Sequence, residues 1–381
     1  MSTSTRIYLD NAATTPLSEE VLDAMIPVMK AHFGNPSSSH ADGRKVKGLI
    51  EEARGSISSL LHCAPGEIFF TSGGTESDNL ALRGCVSKLG INHIVSSPVE
   101  HHAVLHTIEH LHRNEGVAFN LLAVHENGHI NIDHLKELLG LHPHTLVSLM
   151  HANNEIGNMI DIEMIGNLVH QAGGIFHSDT VQTIGHYPFE LHKGNIDFLA
   201  AAAHKFNGPK GIGFAYINKK NRIGAQITGG AQERDMRGGT ENVHGIVGLA
   251  KALEIAYRDM EKKKHHVSHL KQAMIDLLRK QIPNIQFNGD PEGDSLYTVL
   301  SVSFPPSEMG SMLLFNLDLA GISASGGSAC SSGAPGGSHV LQCIKPNTDR
   351  TTVRFSFGLY NTLNDIQYTV EKLALWYGNA D

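Results

Sequence analysis

The chain has little cysteine, no block of like charge and no long apolar stretch, and each lack removes a class of protein. Its 381 residues hold four cysteines, Cys63, Cys85, Cys330 and Cys343, too few and too scattered for a disulfide scaffold. None pairs as CxxC, which excludes a zinc knuckle and a thioredoxin-type motif. No segment approaches the roughly 18 consecutive apolar residues that a membrane helix needs, so no membrane is expected as a partner. Lys plus Arg number 30 against 38 Asp plus Glu, a formal net charge of -8. With no basic block, no nucleic acid is expected either. The start, Met1-Ser2-Thr3-Ser4-Thr5-Arg6, lacks the charged-then-apolar layout of a signal peptide, so the expected compartment is the cytoplasm.

What is present is ordinary for a soluble globular chain: 41% hydrophobic and 18% charged residues, enough for a large core and too apolar for disorder. The length suggests two domains or one large α/β unit. Histidine, at 25, is abundant. His102, His106 and His110 recur every fourth residue and would share one face of a helix. No carboxylate or cysteine joins them in a metal-ligand pattern, so they are read as solvated or hydrogen-bonded imidazoles and no metal is expected.

Short β-rich runs alternate with helical spacing through the middle of the chain. Expected strands are Glu67–Thr71, His93–Ser97, Thr145–Met150, Ile175–His177, Phe198–Ala203 and Gly211–Asn218, with helices such as Glu76–Leu89 and Ile162–Gln171 between them. This alternation predicts a mostly parallel sheet covered by helices. The link between the last two strands is too short for a crossover, so that pair is expected to be antiparallel. One long amphipathic helix is predicted from about His244 to Gln281, stopped by Pro283. It would expose a basic patch, Lys262-Lys263-Lys264-His265-His266, and a domain change is placed near residue 260, inside this helix or at a kink in it. The segment Ser323–Ser338, glycine-rich with Pro335, is the most flexible by composition.

Three segments suggest chemistry, each with a plain alternative. In Thr71-Ser72-Gly73-Gly74-Thr75-Glu76-Ser77-Asp78-Asn79 a strand runs through glycines into a helix N-terminus, an arrangement that favours an anion such as phosphate. The alternative is a Thr75/Asp78 capping box. Asp179 ends an apolar strand, where α/β sheets place ligands and where a carboxylate can keep a heteroaromatic nitrogen protonated; alternatively it caps the next helix. Lys205 follows the apolar run Ala200-Ala201-Ala202-Ala203, where burial would depress an ammonium pKa toward the range a Schiff base requires. Alternatively it snorkels to solvent. In sequence order the three fit one cofactor: a phosphate cradle, a pyridinium carboxylate and a Schiff-base lysine are what would hold pyridoxal 5′-phosphate.

With these segments in hand, the chain resembles the cysteine desulfurases of the class V aminotransferases, the type associated with nitrogen fixation and iron–sulfur assembly. The resemblance rests on Tyr8-Leu9-Asp10-Asn11-Ala12-Ala13-Thr14-Thr15-Pro16, Phe33-Gly34-Asn35-Pro36-Ser37-Ser38, Thr71–Asn79 and His151-Ala152-Asn153-Asn154-Glu155-Ile156-Gly157. It continues through His204-Lys205, Arg237-Gly238-Gly239-Thr240, Ser328-Ala329-Cys330 and Val353-Arg354-Phe355-Ser356, all in family order. It implies fold type I of the pyridoxal phosphate enzymes. A large α/β domain over 15–260 would carry a mostly parallel seven-stranded sheet, and 1–14 plus 261–381 would form a smaller α+β domain.

The resemblance also implies roles. Lys205 would carry the cofactor, Asp179 pair with its ring nitrogen and His101 stack on the ring. Gln182 and Asn154 would lie near the phenolic oxygen, with Asn154 also near the substrate. Gly74, Thr75, His204 and, from a second subunit, Thr240 would hold the phosphate. Arg354 would grip the carboxylate of L-cysteine, and Cys330 would be the nucleophile that takes its sulfur. A homodimer and a sulfur-acceptor protein are the implied partners. Two departures stand out. Ala202 occupies the place of a family serine whose hydroxyl bonds the phosphate, and the sequence ends at Asp381 without the tail by which housekeeping members dock an iron–sulfur scaffold. A selenocysteine lyase shares almost every motif, and a non-catalytic homologue is disfavoured by the intact Lys205, Asp179, His101, Cys330 and Arg354.

Overall fold

The computed structural model describes residues 6–326, 337–345 and 349–378. Seven strands form the main sheet, in the spatial order Ile68–Thr71, Gly213–Ile217, Phe198–Ala202, Ile175–Asp179, Leu146–Ser148, His93–Ser96 and Ala118–Leu121. Every residue of Phe198–Ala202 and of Gly213–Ile217 is buried, as expected for strands covered by helices on both faces. Gly213–Ile217 runs antiparallel to both its neighbours, so the expected hairpin forms and the other strands all point one way. The strand Ala118–Leu121 lies at the sheet edge and is largely exposed. It lacks the buried apolar run that marks the central strands, and sequence analysis missed it.

The helix Gly74–Leu89 packs across the central strands, in contact with Phe198–Ala202, Gly213–Ile217 and Ile175–Asp179. Its contact with the sheet places the N-terminus of this helix beside the strand ends that carry Asp179 and Lys205. Because the strands before Gly73, Asp179 and Lys205 run the same way, their C-terminal ends share one edge. That is the edge at which open α/β sheets bind ligands.

The predicted helix over 244–281 is two helices, Val243–Arg258 and Met260–Gln281, broken at Asp259. The first packs on the helices Glu19–Ala31 and Ala41–Leu60, in the core under the main sheet. The second packs on Leu363–Tyr377 and joins a separate core with Leu300, Val302, Val353 and Phe355. Leu9 belongs to this second core although it begins the chain. The break thus falls where the chain passes from one hydrophobic cluster to the other. The predicted basic patch is not uniformly exposed: Lys263 is buried, its ammonium 3.5 Å from Asn207 Oδ1, and Lys264 lies over the Tyr187 ring. Burial pushes the Lys263 amine down to about 8. Helical periodicity returns to the buried face every three or four residues, so a consecutive run places one member inward whatever its composition.

Candidate active site

A cavity of about 210 Å³ opens at this sheet edge. It is lined by Gly74, Thr75, His101, Asn154, Asp179, Gln182, Ala202, His204, Lys205 and Arg354, so ten positions singled out from the sequence converge on it. Thr240 does not line it; it is exposed, on a separate cleft with Arg237 and Asn242. Cys330 lies outside the described residues.

Each wall is built locally. The helix Gly74–Leu89 begins after Gly73, whose φ of 155° suits glycine, and no side chain caps it. Its first-turn N–H groups are therefore left for another acceptor. The Thr75/Asp78 box does not form; Asp78 is buried at 1% exposure and lines the cavity. A Cβ on Gly74 would lie 2.4 Å from Val181 Cγ2, so a larger residue would push Val181 into the cradle.

Asp179 ends its strand and accepts the Val181 N–H at 2.9 Å through Oδ1. It thus caps a turn rather than a helix, since no helix directly follows it, and it lines the cavity. Burial raises its pKa, against the opposing influence of His101, the Val181 N–H and Lys205. Lys205 stands on a short 3-10 turn, Ala203–Lys205, directly after Phe198–Ala202. Its Nζ donates to the carbonyls of Ala12 and Ala13, the latter at 3.0 Å. Gln182 Nε2 donates to the same Ala12 oxygen at 3.1 Å.

His101 caps the helix His102–Glu115, its Nδ1 accepting the Ala103 N–H at 3.1 Å. That leaves the ring proton on Nε2. Burial lowers the His101 pKa, with Lys205 and His339 adding to it and Asp179 and Glu155 opposing, so the ring is neutral. His204 bonds Thr14 Oγ1, and burial pushes it down to about 4.

Arg354, 1% exposed, donates to Asp10 Oδ1 at 2.7 Å and to the Asn154 carbonyl at 2.9 Å, while its buried Nε has no partner. Asp10 as its counter-ion, and the Ala12 and Ala13 carbonyls under Lys205, are site features that sequence reasoning missed. The segment Tyr8–Pro16 carried a signal only as a motif of the resemblance, with no local pattern showing that it crosses the cavity. Two more missed features anchor the Arg237–Thr240 loop. Arg54 and Glu233 form a buried pair at 2.9 Å, with Glu233 also accepting the Phe70 N–H, and Arg237 pairs with Glu76 at 3.0 Å.

His102 and His106 stack at 4.6 Å between centroids, and His110 bonds Asn114. Among the described residues no group of histidines, cysteines and carboxylates has metal-site geometry. Pyridoxal phosphate, by contrast, suits the residues present. An uncapped helix N-terminus and a glycine-floored cradle face the same cavity as a lysine amine. A buried carboxylate there, held against ionisation by desolvation, is relieved by a cationic ring nitrogen.

Comparison with known proteins bears on the same ground. Residues 7–369 match the family model for class-V aminotransferases. The cysteine desulfurase IscS of Dictyoglomus turgidum is 42% identical over 371 residues, 96% of this chain and 93% of that protein. A putative cysteine desulfurase, IscS 1, of Bacillus subtilis is 42% identical over 375 residues, 97% of this chain and 98% of the relative. Among solved structures, a NifS-like protein superposes with a TM-score of 0.89 at 35% identity, covering 97% of this chain and 98% of its own. SspA in complex with cysteine superposes at 0.80 with 31% identity, covering 93% and 100%.

Proposed function

This chain belongs to the class-V aminotransferase family, and from that premise we propose how its residues divide the work of a cysteine desulfurase. The enzyme is dependent on pyridoxal phosphate and takes sulfur from L-cysteine, releasing L-alanine. The observation that carries the reading is the convergence of Gly74, Asp179, Lys205 and Arg354 on one cavity. Pyridoxal phosphate supplies the electron sink that makes the substrate Cα acidic and its C–S bond labile.

The protein supplies the rest. The N–H groups at Gly74 and Thr75, with His204 and Thr240 of a partner subunit, would hold the phosphate. Asp179 would keep the ring nitrogen protonated, and Lys205 would anchor the cofactor and then carry the Cα proton. His101, neutral and with Nε2–H available, would stack on the ring and pass a proton on the substrate side. Gln182 and Asn154 would orient the ring oxygen, and Arg354 would fork onto the substrate carboxylate. Cys330, as thiolate, would attack the substrate sulfur. A new S–S bond forms as the C–S bond breaks, and its electron pair passes to carbon, which a proton then converts to the alanine methyl. A free thiol with pKa near 8.5 is only a few per cent ionised at about pH 7, so this thiol needs local help to ionise.

The persulfide then passes to an acceptor protein, with iron–sulfur assembly as the expected destination, in a cytoplasmic homodimer. Among the described residues no helix is long and apolar enough to cross a membrane. The division into 15–260 and 1–14 plus 261–381 is supported by the break at Asp259 and by Leu9 in the second core.

Cys330→Ser tests the reading. It is expected to keep the cofactor and lose persulfide formation, because a hydroxyl is a poor nucleophile toward sulfur. Persulfide mapped by mass spectrometry to Cys63, Cys85 or Cys343 instead would reassign the nucleophile. Arg354→Lys should raise KM for cysteine about 10- to 150-fold, the worth of a charge-assisted hydrogen bond of about 1.5–3 kcal/mol; an unchanged KM places the carboxylate elsewhere. Ala202→Ser restores a hydroxyl to the wall facing Gly74 and should slow cofactor loss during turnover, measured by dialysis in cofactor-free buffer. Equal retention would show that the phosphate has no use for this donor.

A further inference from the structure

Three carboxyl groups, Asp78, Glu100 and Asp179, are buried together; Asp179 and Glu100 both oppose the ionisation of Asp78, and Asp179 that of Glu100. They differ in what supports a negative charge. Asp179 has the Val181 N–H, with Lys205 and His101 nearby. Glu100 accepts the Met150 N–H with both oxygens at 2.9 Å. Asp78 is the poorly served one: its Oδ1 is buried without a hydrogen-bond partner.

Opposite that atom stands a second orphan. His177 lies two residues before Asp179, so its side chain leaves the strand on the same face. It is wholly buried, and its Nε2 also lacks a partner. The two unpartnered atoms are 3.4 Å apart. On its other side His177 Nδ1 meets Ser148 Oγ at 2.8 Å, across a parallel pair in which Ser148 and His177 are directly matched. Two facing orphans with no proton assigned between them are each costly, and one shared proton satisfies both.

We propose that Asp78 and His177 form a net-neutral pair, with the Asp78 carboxyl proton directed at His177 Nε2 and the imidazole's own proton on Nδ1, donated to Ser148. The pair acts on Asp179. It removes one negative charge from the cavity's floor, leaving Asp179 as the anion available to a cationic ring nitrogen. Asp78 and His177 are thus positioning residues. Desolvation acts in the same sense on both members, raising the acid and pushing the imidazole down to about 3, so the proton rests on the carboxyl. The charged groups that act on Asp78 are Asp179, from the same strand as His177, and Glu100, from the turn before His102–Glu115; His101 and Lys205 line the same cavity and act on Asp179. The inference rests on the reading of Asp179 as the ring-nitrogen partner.

Infrared spectroscopy of the full chain, with and without cofactor, tests it. A protonated-carboxyl C=O band, shifted on H/D exchange, is expected between about pH 6 and 9, where an ordinary aspartic acid is fully ionised. The band should vanish in Asp78→Asn and move to higher frequency in His177→Leu, which removes the acceptor. In the cofactor-loaded Asp78→Asn protein the pH midpoint of the visible band should move by less than about half a unit, since one neutral group replaces another. Absence of the band in the unsubstituted protein overturns the proposal, as does a band that survives Asp78→Asn and disappears in Glu100→Gln. A midpoint shift of about one unit or more would mean that Asp78 carried charge. If Asp78→Asn does not fold, the unsubstituted spectrum and His177→Leu still decide the matter. Asp179→Asn separates the two readings: unchanged cofactor retention there removes the role of Asp179 and leaves the carboxyl band standing.

Discussion

Lys205→Ala is expected to abolish turnover, a fall of at least about 10⁴-fold if the lysine acts as positioned base as well as anchor. The ammonium is held by two carbonyls of the N-terminal segment, Ala12 and Ala13, at the end of a strand whose every residue is buried. No other lysine lines the described cavity, so none can take its place at the same sheet edge. The fold should survive, because the alanine leaves two carbonyls beside a cavity that water can enter. Absorbance of the purified protein and alanine release from cysteine measure the effect. Full activity with an unchanged visible band would refute the anchoring role.

Asp179→Asn is expected to act in opposite directions on stability and on activity. Without cofactor, burial raises the Asp179 pKa above its unfolded value. An acid shifted this way binds its proton more tightly in the folded state, so it costs stability progressively as pH rises through the carboxylate range. The amide removes that cost, and the cofactor-free variant should melt higher than the parent at neutral pH and equally at low pH. With cofactor the sign reverses, because the variant loses the anion that a protonated ring nitrogen needs. Breaking a buried charge pair costs about 3–5 kcal/mol, so kcat/KM should fall about 10²- to 10⁴-fold. Thermal melts across pH, paired with steady-state rates, read both halves. A variant as active as the parent would move the ring-nitrogen contact to another residue.

Much of the site was legible because its parts are local. Strand-to-glycine-to-helix at Thr71–Glu76, an acid ending an apolar strand at Asp179 and a lysine ending another at Lys205 each leave a pattern within a few residues. The hairpin Phe198–Ala202 to Gly213–Ile217 was legible from link length, a purely geometric limit. A domain change near residue 260, inside or at a kink of the long helix, was legible and matches the break at Asp259. That the chain there divides into two separate helices was not, since amphipathic spacing continues across it and no proline or glycine marks the place.

From the sequence alone came the residue types, their order along the chain and the direction of each strand–helix step, because backbone propensity and side-chain periodicity act over a few residues. Tertiary structure decided which of them meet. Arg354 finds Asp10 across 344 positions, and Lys205 finds the carbonyls of Ala12 and Ala13 across 193 and 192. Asp78 faces His177 from a different element. Burial decided the protonation of these groups, and it is set by what the rest of the fold stacks around them. A contact between residues hundreds of positions apart leaves no local periodicity, and desolvation has no sequence signature at all.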